Sequence, residues 1–189
     1  EEIYIGGQGS SPDTISNYLF KKNKIKPSIK YRSSTEIAKL IMTNQITTAV
    51  LPEPQASMVL DKNKNLKRVF ILKNEWKKAN GQNSIPQVAI FASQSVINKN
   101  KNLINTLAKE YKNSLVWMNK NKNEAAKFGI EVFQVALSET AFENSIDNMN
   151  LVYIEGLVAK KSVDTYLNAL KSIDTNAMSK IPGADFYKK

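Results

Sequence analysis

The sequence predicts an α/β fold whose first half is a parallel sheet with helices and whose remainder is mostly helical. Short apolar runs at 3–5, 29–32 and 48–51 alternate with helical segments of about ten residues, the signature of strand–helix–strand units. After residue 92 the apolar spacing changes to the i, i+3, i+4 pattern of amphipathic helices. A third feature concerns function. The run Thr48-Ala49-Val50-Leu51 is closed by Pro52-Glu53-Pro54, which stops a buried strand abruptly and presents one carboxylate at its tip. Ligands of open α/β sheets bind outside the carboxyl ends of the strands, so Glu53 is a candidate ligand contact.

The elements follow in order. Ile3-Tyr4-Ile5 reads as the first strand, and Gly6-Gly7-Gln8-Gly9-Ser10-Ser11 as a tight turn into a helix with Ser11 as N-cap and Pro12 at its first position. Ile15, Tyr18 and Leu19 form that helix's inward face. Ile29 to Arg32 is the second strand, and Ser33 with Glu36 three residues on makes a capping box for a helix that buries Ile37, Leu40 and Ile41. The third strand is the one that ends at Glu53, and Pro54 starts a helix through Ala56 to Leu60. This alternation requires parallel strands and right-handed crossovers. Arg68 to Leu72 reads as a further strand, Asn80-Gly81-Gln82-Asn83-Ser84 as a boundary loop, and Val88-Ala89-Ile90-Phe91-Ala92 as one more strand.

Leu103, Ile104, Leu107, Tyr111, Leu115 and Met118 then mark a long helix, with Trp117 and Met118 read as core, and Val163, Tyr166, Leu167 and Leu170 mark a later one. Helices are also expected between 124 and 148. The second half thus offers several apolar helix faces but few strands for them to cover. A preceding segment of the same protein is expected to supply the sheet, in keeping with a start at Glu1 rather than Met, and self-association through these faces follows from the same argument.

Composition excludes several classes. There is no Cys and no His, which removes the usual zinc sites, thiol nucleophiles and the Ser-His-Asp relay from this chain. The net charge of +10 invites a nucleic-acid reading, but only Arg32 and Arg68 are arginine, and the lysines are scattered among asparagines. Base and phosphate readers lean on the planar arginine fork, so no nucleic-acid partner is expected. No apolar run approaches the roughly 20 residues of a membrane helix.

Two site readings stay open on the residues alone. The Gly9, Ser10, Ser11 turn presents helix N-terminal N–H groups and two hydroxyls to a polar solute, or is an ordinary cap with glycines chosen for the turn. Asp13, in the first helical turn, competes with an anion there and favours a neutral or cationic group such as an aminopyrimidine. Glu53 either pairs with a solute amine or caps the helix begun by Pro54. Ser34 and Gln87 are further candidates, the one also able to help cap its helix and the other to satisfy backbone groups.

Five segments, in order, carry a family likeness: Gly9-Ser10-Ser11-Pro12-Asp13, Ser34-Thr35-Glu36-Ile37-Ala38, Ala49-Val50-Leu51-Pro52-Glu53-Pro54, Ile85-Pro86-Gln87-Val88-Ala89, and Lys180-Ile181-Pro182-Gly183-Ala184-Asp185-Phe186-Tyr187. With these the sequence resembles the substrate-binding proteins of ABC transporters of the nitrate, sulfonate, taurine and thiamine-precursor group, which have the type II periplasmic binding fold. The resemblance implies a C-terminal fragment, with residues 1–83 as lobe two and 84–189 as the crossover and the helix-rich part of an incomplete lobe one. It implies a small polar solute held in an interlobe cleft by Gly9, Ser10, Ser11, Ser34, Glu53 and Gln87 and delivered to a membrane permease. No reaction and no cofactor are implied, and the location is the periplasm or, as a lipoprotein, the cell surface. The alternatives are an enzyme of thiamine-pyrimidine or menaquinone biosynthesis on the same fold, and the effector-sensing domain of a transcription regulator.

Overall fold

The computed structural model describes residues 2–133 and 137–187. In chain order these form β1 (Glu2–Gly6), α1 (Ser11–Lys22), β2 (Ser28–Arg32), α2 (Ser34–Met42), β3 (Ala49–Val50), α3 (Gln55–Lys62) and α4 (Leu72–Asn80). There follow α5 (Gln94–Lys99), α6 (Lys101–Lys120), α7 (Lys122–Phe133), α8 (Glu139–Met149), α9 (Gly156–Ile173) and a 3₁₀ turn (Ala184–Phe186). Of the helical span expected between 124 and 148, residues 134–136 lie outside the described residues. The chain is mixed α/β and helix-rich, in two compact units: Glu1–Gln87 with Ile154–Lys189, and Val88–Tyr153. A split at 83 would place α9 with the second half, whereas α9 packs within the first unit.

The first unit is built on a three-stranded parallel sheet of order β2-β1-β3, with Ile5 opposite Tyr31 on one side and Val50 on the other. β1 is therefore central, and Ile5 is fully buried. Alternation along β1 sends Tyr4 to the face covered by α2 and α3, where Ile37, Ala38, Ile41, Ile46 and Val59 form one core. A second core joins α1, α4 and α9 through Ile15, Leu19, Trp76 and Ala169, with Tyr18 and Tyr166 against the indole. The predicted boundary loop helps hold α9: Gly81 ends α4 with φ 68°, and Ser162 on α9 contacts Gln82 and Ser84. The C-terminal segment returns to α9 as well, with Lys160 Nζ 5.8 Å from the Tyr187 ring. Burial, and then the charge of Asp164, push the Tyr187 phenol above its ordinary range.

In the second unit α7 packs on α8, burying Ala125, Ala126, Ala141 and Ile146. Gly129 allows this approach, since a Cβ there would sit 2.7 Å from the Phe142 ring. Leu103 and Leu107 of α6 are exposed, and Trp117, read from the sequence as core, is 47% exposed.

Several sequence expectations are corrected. The N-cap of α1 is Ser10, whose hydroxyl accepts from Asp13 N–H, and Ser11 is already helical. The loop reaches the helix one residue early because Gly7 and Gly9 both take left-handed φ (70° and 78°), which shortens the turn. Only half of the α2 capping box forms: Ser33 Oγ accepts from Glu36 N–H at 3.1 Å, while the Glu36 side chain pairs with Arg32. The strands expected at 68–72 and 88–92 are not strands, for Leu72 begins α4 and Val69, Phe70, Val88 and Phe91 are exposed. An apolar, β-prone run becomes a strand only by pairing, and among the described residues no neighbouring strand is paired with either run.

Candidate functional site

In a parallel sheet all carboxyl ends share one edge, so the turns after β1, β2 and β3 lie together there. This brings Gly9, Ser10, Ser11, Ser34 and Glu53 to one edge of the first unit. Gln87 lies outside the sheet, is exposed, and makes no hydrogen bond to these residues.

The β1–α1 turn is anchored from both sides. Gly7 N–H donates to Arg32 C=O at 3.0 Å, and Ser10 Oγ donates to Gly6 C=O at 2.7 Å. Beneath it sits Asp13, only 6% exposed. Its Oδ2 accepts from Gly9 N–H at 2.8 Å, and its Oδ1 accepts from Tyr31 O–H at 2.9 Å and from the Asn17 amide. Burial, and then the bond to Asp13, push the Tyr31 phenol upward, so it stays protonated and donating. The Ser11 hydroxyl lies 3.4 Å from Tyr166 O–H of α9.

Ser34 stands against Gly6, where an added Cβ would lie 2.3 Å from Ser34 Oγ. The half-buried Ser34 hydroxyl makes no hydrogen bond within the described chain, so of the predicted hydroxyls it is the one left for an outside partner. Gly6→Ala is accordingly expected to force Ser34 from its rotamer while leaving the sheet intact. A crystal structure of the variant, or the Ser34 side-chain NMR shifts, would show the move, and an unchanged Ser34 would refute the close packing.

Glu53 meets the second of its two readings. Its Oε2 accepts from Ser57 N–H at 3.0 Å, capping α3, whose start Pro54 offers no side-chain acceptor. Its Oε1 lies 2.7 Å from Arg68 Nη2, and the carboxylate is 9% exposed. That contact is an ion pair outside aligned hydrogen-bond geometry, and the same nitrogen also donates to Ser57 Oγ at 3.5 Å. Glu53 thus faces the edge as a charge already neutralised.

Sequence reasoning missed Tyr31, Asn17, Arg68 and Gly6. The rarity of arginine was a signal for Arg68. For Tyr31 and Asn17 there was none, because their roles arise when Asp13 turns inward. In the second unit, a surface depression of about 410 Å³ at the α5–α6 junction is lined by exposed residues such as Asn98 and Lys99, with no buried polar group. Among the described residues no cluster of His, Cys, Asp and Glu suits a metal ion, and no helix is long and apolar enough to cross a membrane.

No family model and no curated protein sequence matches the chain. Among solved structures, the fold matches that of an ABC transporter from Parabacteroides distasonis, with a TM-score of 0.81 over 100% of this chain and 20% sequence identity. This chain spans 66% of that protein, and at such identity the likeness is one of fold: a helix-rich α/β chain with a small parallel sheet.

Proposed function

We propose that this chain is part of the solute-binding component of an ABC importer with the type II periplasmic binding fold. It captures a small polar solute at the carboxyl edge of its sheet and passes it to a membrane permease. No bond is broken, and no cofactor takes part. The working location is the periplasm or the cell surface, with a lipid anchor. The observation that supports this most is the fold match to an ABC transporter over the whole chain. The edge is compatible with it. Glycine turns bring backbone close to a solute, Ser34 offers an uncommitted hydroxyl, and rigid strands and helix starts hold both in place.

A thermal-shift screen with small polar solutes tests the reading. A ligand that binds only the folded state stabilises it by about 2.7 kcal/mol at a hundredfold excess over Kd. At least one solute should therefore raise Tm clearly. Ser34→Ala is expected to reduce that rise with little change in the ligand-free Tm. If Ser34→Ala and Ser11→Ala both left the rise intact, the edge would not be the site.

A further inference from the structure

The β1–α1 turn has the sequence of an anion cradle, yet its Gly9 N–H is already taken by the chain's own carboxylate and its Ser10 hydroxyl by a backbone carbonyl. Gly9 N–H is directed to Asp13 Oδ2 at 2.8 Å, and the Ser10 hydroxyl is spent on Gly6 C=O. The remaining partners of Asp13, Asn17 and Tyr31, are neutral donors. Every contact of this buried side chain is with a donor, so both of its oxygens serve as acceptors, as a carboxylate's do. An oxyanion at the turn would meet that carboxylate without the Gly9 N–H to receive it.

The surrounding charges point the same way. The chain carries +10 overall, but residues 6–13, 32–36 and 50–57, which make the edge, hold Asp13, Glu36 and Glu53 against Arg32. Arg32 pairs with Glu36 at 3.3 Å, and Arg68 reaches in to Glu53 at 2.7 Å. Both guanidiniums are thereby matched, and among the described residues no cation pairs with Asp13. Locally the edge is negative within a basic molecule.

We infer that this edge selects a cationic or neutral donor-bearing solute, such as an amine, an amidine or an amino-heterocycle, and that Asp13 excludes sulfate, sulfonate and nitrate. The physiological meaning rests on the solute-binding reading above, but the charge of the turn is testable without it. The Gly9 backbone amide is followed by NMR during titration with sulfate, in the wild type, in Asp13→Asn and in Tyr31→Phe. Sulfate should leave the wild-type and Tyr31→Phe amides unmoved, and Asp13→Asn should bind it at least about tenfold more tightly. In parallel, 4-aminopyrimidine and methylguanidinium should raise Tm, and methanesulfonate should not. A wild-type Gly9 amide that follows sulfate overturns the inference, as does stabilisation by methanesulfonate, while either leaves solute binding standing. If Asp13→Asn does not fold, the wild-type and Tyr31→Phe titrations still decide. If no organic solute raises Tm while Gly9 behaves as expected, the charge assignment holds and the solute-binding reading fails.

Discussion

Replacing Trp76 by alanine is expected to destabilise the first unit by about 3–5 kcal/mol, the range for deleting a large buried aromatic. The indole is 1% exposed and lies within one core with Ile15, Leu19 and Ala169, so its loss opens a cavity among α1, α4 and α9 at once. The rings of Tyr18 and Tyr166 lie 5.3 and 6.0 Å from it, tilted, and both lose their central partner. α9 is the element most exposed to this change, because its packing against α1 and α4 runs through Ala169 and Tyr166. Trp76→Phe should behave differently. The indole Nε1 is buried with no hydrogen-bond partner among the described residues, a cost of about 1–3 kcal/mol that phenylalanine removes. The lost ring volume acts in the opposite direction, so the net effect should be about 1 kcal/mol or less. Urea unfolding followed by far-ultraviolet circular dichroism checks both. Equal losses for the two variants would show that packing against Tyr18 and Tyr166 is not what holds α9.

Arg68→Met comes next in expected size, at about 2–3 kcal/mol. Removing one partner of a buried ion pair leaves the other charge uncompensated, which costs about 3–5 kcal/mol when both groups are fully buried. Here Glu53 is 9% exposed and Arg68 26%, so water relieves part of that penalty. Glu53→Gln should cost less, about 1 kcal/mol, because an amide oxygen still accepts from Ser57 N–H and caps α3. The double variant should be more stable than the sum of the single losses predicts, since no charge is then stranded. Strictly additive losses in the double-mutant cycle would mean that the 2.7 Å contact contributes no coupling.

These two predictions also mark how much of the molecule can be read without coordinates. Ile3-Tyr4-Ile5, Ile29 to Arg32 and the amphipathic runs of α1, α2 and α9 are legible because local periodicity and local burial agree, while α6 is legible from its periodicity alone. Ser33 is legible as a cap because capping is settled within four residues. The segments 68–72 and 88–92 were misread for the complementary reason: their apolar character is local, but a strand depends on a neighbour elsewhere in the chain. Trp117 was misread similarly, since a helix face is core only if something packs on it.

At the site the division is finer. The sequence by itself determined that a glycine turn, a serine at a helix start and a strand-end carboxylate would meet on one edge, because parallel strands joined by helices leave no other arrangement. Tertiary structure alone decided what each group does there. Asp13 turns inward to take Gly9 N–H, Asn17 and Tyr31, Glu53 is claimed by Ser57 N–H and Arg68, and the Ser34 hydroxyl makes no hydrogen bond among the described residues. The physical reason is that a buried polar group must be matched by whatever the fold brings within about 3 Å. For Asp13 and Glu53 those partners, Tyr31 and Arg68, lie 18 and 15 residues away along the chain.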